Sequence, residues 1–150
     1  MEVPSPARVM VELQKAATRA HRLLLQSPLG HILSTSPWGR TLVLHTIGRR
    51  SGQPRQTPLS FTTDGDAYVV IASDGGSPHH PDWYANLQAH PDAEIEIGGR
   101  RTPVRAETVT GPERDRLWQH SVSSYGGYAG YQARTDRVIP VVRLTPTATT

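Results

Sequence analysis

TLVLHTIGRRSGQPRQTPLSFTTDGD, residues 41–66, reads as strand, turn, strand, turn. Thr41–Ile47 is rich in β-branched and apolar residues, which suit a pleated, half-buried surface. Gly48–Pro54 then supplies the glycine, serine and proline chemistry of a turn. Gln56, Pro58, Ser60 and Thr62 alternate with Thr57, Leu59 and Phe61, the period-2 pattern of a strand with one face covered. Asp64-Gly65-Asp66 is a hairpin turn, because glycine reaches positive φ at no steric cost. Two tight connections within 26 residues imply antiparallel pairing.

Working outward, Ala67–Ala72 is a continuous apolar run, which fits a strand covered on both faces. Ser73–His80 is a glycine-bearing loop, and Pro81–His90 a short helix stopped by Pro91. Ala93–Ile97 and Arg101–Val109 alternate on either side of Gly98-Gly99, a second hairpin. Thr110-Gly111-Pro112-Glu113 predicts a capping box opening a helix to about Ser124. Val138–Leu144 is the last predicted strand. Pro58, Pro103 and Pro140 fall inside predicted strands, where proline needs an edge or a bulge. Helices do not alternate regularly with strands, so a doubly wound parallel sheet is excluded. The fold expected is α+β, mainly β: a six-stranded antiparallel split β-barrel with peripheral helices.

The remaining sequence lies before the barrel. Residues 1–7 are proline-rich, and Met10, Leu13, Ala17, Ala20 and Leu24 give residues 8–26 the stripe of an amphipathic helix. That helix packs on the body, or Lys15, Arg19, His21 and Arg22 face anionic lipid in a peripheral membrane contact. Two regions follow: residues 1–40 as tail and helix, residues 41–146 as barrel.

The 150 residues suit one domain with a real core. Hydrophobic content of 36% is low, so the core is modest or is completed by a cofactor or second subunit. Cysteine is absent, which excludes disulfides and cysteine-based zinc sites and fits a reducing cytoplasm. No apolar run approaches the ~18 residues of a spanning helix. Net charge is +3, and Lys15 is the only lysine. Arginine is the residue for forked recognition of phosphate or carboxylate.

Arg49, Arg50 and Arg55 crowd one turn with Ser51 and Gly52, where backbone N–H groups and guanidinium forks can address one anion. A solvated hairpin turn is the plainer reading. The Walker pattern is absent. Ser73-Asp74-Gly75-Gly76 follows the covered strand and would let a ligand approach the backbone. Trp83 and Leu87 share a helix face suited to the core, while Asn86 could meet a ligand's polar edge. His79, His80 and Asp82 lack metal-ligand spacing, so no metal is assigned. Glu94 and Glu96 share a strand face and are expected in solvent. Tyr125, Tyr128 and Tyr131 recur every third residue and would share a helix face, as core or as a pocket wall. With no cysteine nucleophile and no Gly-x-Ser-x-Gly elbow, an organic cofactor is the natural carrier of chemistry.

TIGRRSGQPR (46–55), Asp64-Gly65-Asp66, ASDGG (72–76), HPDWYANL (80–87), Tyr-x-x-Tyr-x-x-Tyr-Gln (125–132) and IPVV (139–142), in this order and spacing, resemble the deazaflavin-dependent nitroreductase family. The resemblance covers residues 40 to 146. It implies a split barrel of the flavin-reductase type that binds coenzyme F420, typical of actinobacteria. Reduced F420 would give hydride to an electron-poor quinone, enone or nitroaromatic. By position, Arg49, Arg50, Ser51, Gly52 and Arg55 would hold the coenzyme's phosphate and tail carboxylates. Thr57, Pro58 and Leu59 would start the ring site, and Ile71, Ala72, Ser73 and Asp74 would bring backbone to it. Trp83, Tyr84 and Asn86 would close its side. Tyr125, Tyr128 and Tyr131 would cover the open face where substrate stacks, with Ser73 or Tyr128 steadying the developing anion. Asp74 and His45 depart from the family pattern. The alternatives are an FMN- or haem-binding split barrel, and an F420 carrier without turnover. A basic barrel for nucleic acid would interleave aromatics with arginine on its strands; these aromatics cluster on helical segments, so no nucleic acid partner is expected. A cytoplasmic monomer or homodimer completes the expectation.

Overall fold

The computed structural model describes residues 35–36 and 39–147. The helix expected over residues 8–26 lies outside them. Among the described residues seven strands form: β1 (Thr35–Ser36), β2 (Gly39–Ile47), β3 (Pro54–Asp64), β4 (Ala67–Ile71), β5 (Asp92–Ile97), β6 (Arg100–Thr108) and β7 (Val141–Pro146). Three helices accompany them: α1 (Asp82–Ala89), α2 (Gly111–Ser124) and α3 (Gly127–Ala133), with a 3₁₀ turn at Asp74–Gly76.

Six strands run in the order β2-β3-β4-β7-β6-β5, each antiparallel to its neighbour, and β5 returns to β2 to close the barrel. The closing seam sets Val43 opposite Glu96 and Leu44 opposite Ile95. Closure removes the sheet edges that would otherwise template aggregation. The short β1 lies against the start of β2, opposite Gly39 and Arg40.

Two apolar clusters straddle the barrel wall. Leu42, Leu44, Phe61, Val70, Ile95, Val104, Val142 and Leu144 pack together with Trp83, Tyr84 and Leu87 of α1. Val69, Ile71 and Val141 pack instead with Leu117 of α2 and Tyr128 of α3. β4 therefore feeds both clusters, as its unbroken apolar run requires. Each fully buried aliphatic side chain here contributes about 1.5–3 kcal/mol.

The prolines find the open stretches that they need. Pro58 faces Val43 on β2, while β4 meets β3 only at Thr62–Asp64. Pro103 faces Glu94 on β5, and β7 joins β6 only from Val104 onward. The last strand differs from expectation: it begins at Val141, and Pro140 precedes it. Side chains take the backbone groups of Ile139 before a ladder can form. Gln132 Oε1 accepts its N–H at 3.0 Å and Arg114 Nη2 donates to its carbonyl at 2.8 Å.

The capping box at residues 110–113 does not form, and the Thr110 side chain makes no cap bond. Gly111 sits at φ +67, which swings the chain away between Thr110 and Pro112. Glu113 turns instead to Arg143, with Arg116 nearby at 3.8 Å.

Candidate functional site

The β2–β3 turn is closed by its own backbone. Gly48 N–H donates to Gln53 O at 2.8 Å and Gly52 N–H to Gly48 O at 2.9 Å. Gly52 adopts φ +68, a left-handed conformation that glycine enters freely. Arg49 N–H donates to Asn86 Oδ1 at 3.1 Å, and Gln53 N–H to Ser51 Oγ at 3.2 Å. Four backbone donors of this stretch, those of Gly48, Arg49, Gly52 and Gln53, are thus taken up within the protein.

The three arginines have separate roles. Arg49 reaches α1: its guanidinium donates to Asn86 Oδ1 at 3.0 Å and pairs with Asp82 Oδ1 at 3.3 Å. Asn86 is 4% exposed, so this double acceptance ties the turn to the helix from a buried position. Arg55 Nη2 donates to Ser51 Oγ at 3.3 Å. Arg50 is exposed and has no hydrogen bond or ion pair among the described residues.

Together they border a cavity of about 410 Å³ lined by Gly48, Arg49, Arg50, Ser51, Arg55, Gln56, Thr57, Asp82, Trp83 and Asn86. Asp82, the carboxylate on its rim, is offset by Arg49. Arg50 and Arg55 leave the rim net positive, which suits an anionic chain of phosphate and carboxylates.

Other expected residues lie elsewhere. Tyr84 points into the core, bonded to Thr108 Oγ1 at 2.9 Å and to Gln88 Nε2 at 3.3 Å. Pro58 and Leu59 stand opposite Val43 and Leu42 in the β2–β3 ladder. Ile71 and Ala72 are buried where β4 ends, and Ser73 and Asp74 lead into the 3₁₀ turn.

The tyrosines do not share one helix. α2 ends at Ser124, and Tyr125 is extended (φ −145°, ψ 103°) before α3 begins at Gly127. Their rings still meet: Tyr125 and Tyr128 edge to face with centroids 5.0 Å apart, Tyr128 and Tyr131 at 6.4 Å. The hydroxyls of Tyr125 and Tyr131 bond each other at 2.9 Å. Tyr128 is 8% exposed, and its hydroxyl has no hydrogen bond among the described residues. Burial, then the neighbouring Tyr125 and Tyr131, push its pKa up to about 12. It therefore keeps its proton at neutral pH and is available as a hydrogen-bond donor.

The main residue missed by sequence reasoning is Arg137. Its Nε donates to Ser77 O at 2.8 Å, its Nη2 to Ser73 O at 2.8 Å and its Nη1 to Ala72 O at 3.1 Å. Nη1 also lies 3.0 Å from His80 Nδ1. Burial and the Arg137 charge lower the His80 pKa, which keeps Nδ1 free to accept. No local pattern marks Arg137, because its partners lie 57–65 residues away. Among the described residues no three His, Asp or Glu side chains gather as a metal set. Glu96 is not fully in solvent but paired with His45 at 3.1 Å, and Glu94 pairs with Arg101 at 2.9 Å.

A model of the F420H(2)-dependent quinone reductase family matches residues 15–146. The chain belongs to the F420H(2)-dependent quinone reductase family. Members are oxidoreductases named for reduced coenzyme F420. The Mycobacterium tuberculosis F420H(2)-dependent quinone reductase Rv1261c is 46% identical over 120 residues, covering 78% of this chain and 79% of the relative. A solved F420-H2 dependent reductase, FDR-A, is 37% identical with a TM-score of 0.64, over 69% of this chain and 92% of its own. A second solved structure, a domain-swapped dimer, is 33% identical with a TM-score of 0.68, over 93% and 99%. The heme storage protein HutZ of Vibrio cholerae shares the fold alone, at 18% identity and a TM-score of 0.57 over 73% and 82%. The split-barrel architecture read from the sequence is therefore the observed one. Among the described residues no helix is long and apolar enough to cross a membrane.

Proposed function

We propose that this quinone reductase family member carries hydride from reduced F420 to an electron-poor small molecule: a quinone, an enone or a nitroaromatic. The observation that carries the reading is the cavity beside the β2–β3 turn, where Arg50 is free among the described residues and Arg55 is held only lightly. When bound, the reduced deazaflavin supplies the hydride from its ring carbon. The chain's own residues bind and orient.

Arg50 and Arg55, with Ser51 beside them, would hold the phosphate and the tail carboxylates. Arg49 would act mainly as a brace, since Asp82 and Asn86 already occupy it. Thr57, Trp83 and Asn86 continue the cavity wall toward the ring. Ile71–Asp74 would meet the ring, and Tyr125, Tyr128 and Tyr131 the acceptor. Tyr128 would donate a hydrogen bond to the oxygen that gains charge, and Ser73 is the second candidate. Turnover left intact in both Tyr128→Phe and Ser73→Ala would remove these roles.

Titrating the purified protein with F420 and following coenzyme fluorescence tests the proposal, and no binding at micromolar concentration would end it. FMN and hemin titrations run alongside separate the other split-barrel chemistries. Stopped-flow oxidation of the bound reduced coenzyme by a quinone panel separates an enzyme from a carrier. A monomer or homodimer, and a membrane contact through residues 8–26, belong to the same reading. Sedimentation with and without anionic vesicles tests both.

A further inference from the structure

We propose that Arg137 is a positioning residue for this reduction, holding the Ala72–Ser77 turn and the tyrosine wall in one fixed arrangement. The inference rests on the functional reading above. Asp74, Gly75 and Gly76 all have positive φ, at 44°, 63° and 84°. Glycine enters positive φ freely, so the backbone cost of this turn falls on Asp74. For Asp74 this is a left-handed conformation that persists only when surrounding structure imposes it.

Arg137 supplies that imposition. It lies between α3 and β7 and donates to three backbone carbonyls, Ala72 and Ser73 on one arm of the turn and Ser77 on the other. His80 Nδ1 completes the set and extends it to the residue before Pro81, where α1 is capped. The same stretch is tied a second time, since Ala72 N–H donates to Pro140 O at 3.0 Å. A planar guanidinium can address several acceptors in fixed directions, whereas an ammonium is a single point of charge.

The turn is also pressed onto the helix that carries Tyr128 and Tyr131. A methyl group on Gly76 would lie 2.7 Å from Tyr131 O and 3.1 Å from Arg134 Cβ. Turn and α3 are therefore closely packed, and Arg137 ties the turn to the end of β4. The reading above puts the coenzyme ring beside this end and the acceptor beneath the tyrosines. Anion binding depends on other residues, Arg50 and Arg55, across the β2–β3 turn. Loss of Arg137 should therefore disturb hydride transfer more than coenzyme affinity.

The test uses the full chain with Arg137→Ala and Arg137→Lys. Melting curves check folding, F420 titration gives coenzyme affinity, and single-turnover oxidation by a soluble naphthoquinone gives the transfer rate. A displacement of about 1 Å can cost about 10²-fold in rate, so a loss of that order is expected in Arg137→Ala. Coenzyme affinity should fall much less than the rate, because Arg50 and Arg55 at the anion site are untouched. Arg137→Lys should fall between, and millimolar guanidinium should restore part of the rate in Arg137→Ala only. An unchanged rate, or affinity falling in step with rate, would overturn the proposal. If Arg137→Ala does not fold, Arg137→Lys decides by the same criteria. A native chain that does not bind F420 overturns this inference and the functional reading together. Normal binding with an unchanged variant rate overturns this inference alone.

Discussion

The Gly48–Gln53 turn and the Ala72–Ser77 turn flank α1 and are held in opposite ways. The first joins adjacent strands and closes on its own backbone, with Gly52 supplying the positive φ and Ser51 bonding Gln53 and Arg55. Arg50 on it is exposed and has no partner among the described residues, and Arg55 is held only by Ser51. The second has a strained backbone and is pinned by Arg137, whose acceptors lie 60–65 residues earlier in the chain. A locally closed turn can expose its charge to a ligand without loss of shape. A turn held from afar can present strained backbone at a site, but only while the distant tie remains.

The contrast predicts affinity effects at the first turn. Arg50→Ala combined with Arg55→Ala should raise the F420 dissociation constant by about 10²-fold or more, since hydrogen bonds to charged groups contribute about 1.5–3 kcal/mol each. The melting temperature should not move. A lowered melting temperature would mean that these arginines hold the turn itself, and the contrast would fail.

Asn86→Ala probes a tertiary tie of that turn, beside the pair of Arg49 with Asp82. Asn86 is buried and accepts from Arg49 twice, at 3.1 and 3.0 Å. Removing it should cost about 0.5–1.5 kcal/mol in denaturant unfolding, because two hydrogen bonds are lost while the exposed Arg49 can turn to water. Coenzyme affinity should weaken as well, as the turn is then held to α1 through Asp82 alone among these ties.

The smallest effect is expected at Asp74. Burial raises its pKa above 3.8, so ionisation is less favourable folded than unfolded. Its contribution to stability is then present below pH 3.8 and is lost as pH rises through the raised value. Asp74→Asn, which also tolerates positive φ, should be the more stable at neutral pH by no more than about 0.5 kcal/mol. The difference should vanish in acid. A neutral-pH loss would show instead that the Asp74 charge supports Arg137.

Much of the fold was legible because its signals are local. The alternation in Gln56–Thr62, the Asp64-Gly65-Asp66 turn and the apolar Ala67–Ala72 run each report the environment of their own segment. Even Pro58 and Pro103 announced one-sided pairing before the partners were known. Expectations failed where distant side chains took the groups that local rules assign. Glu113 turned to Arg143, Gln132 and Arg114 claimed Ile139, and β7 started three residues late.

The candidate site divides along the same line. Residue order alone marked Arg50 and Arg55 as a candidate anion-binding pair, because a tight turn between paired strands keeps neighbours in sequence close in space. It also brought three tyrosines to notice by their spacing. Tertiary structure tied Arg49 to Asp82 and Asn86, placed Tyr84 in the core, and left Tyr128 alone of the three with an unbonded hydroxyl among the described residues. It alone brought Arg137 to Ala72, Ser73 and Ser77. Such contacts depend on barrel closure and on helices laid across its wall, and a single chain read in order carries no local trace of them.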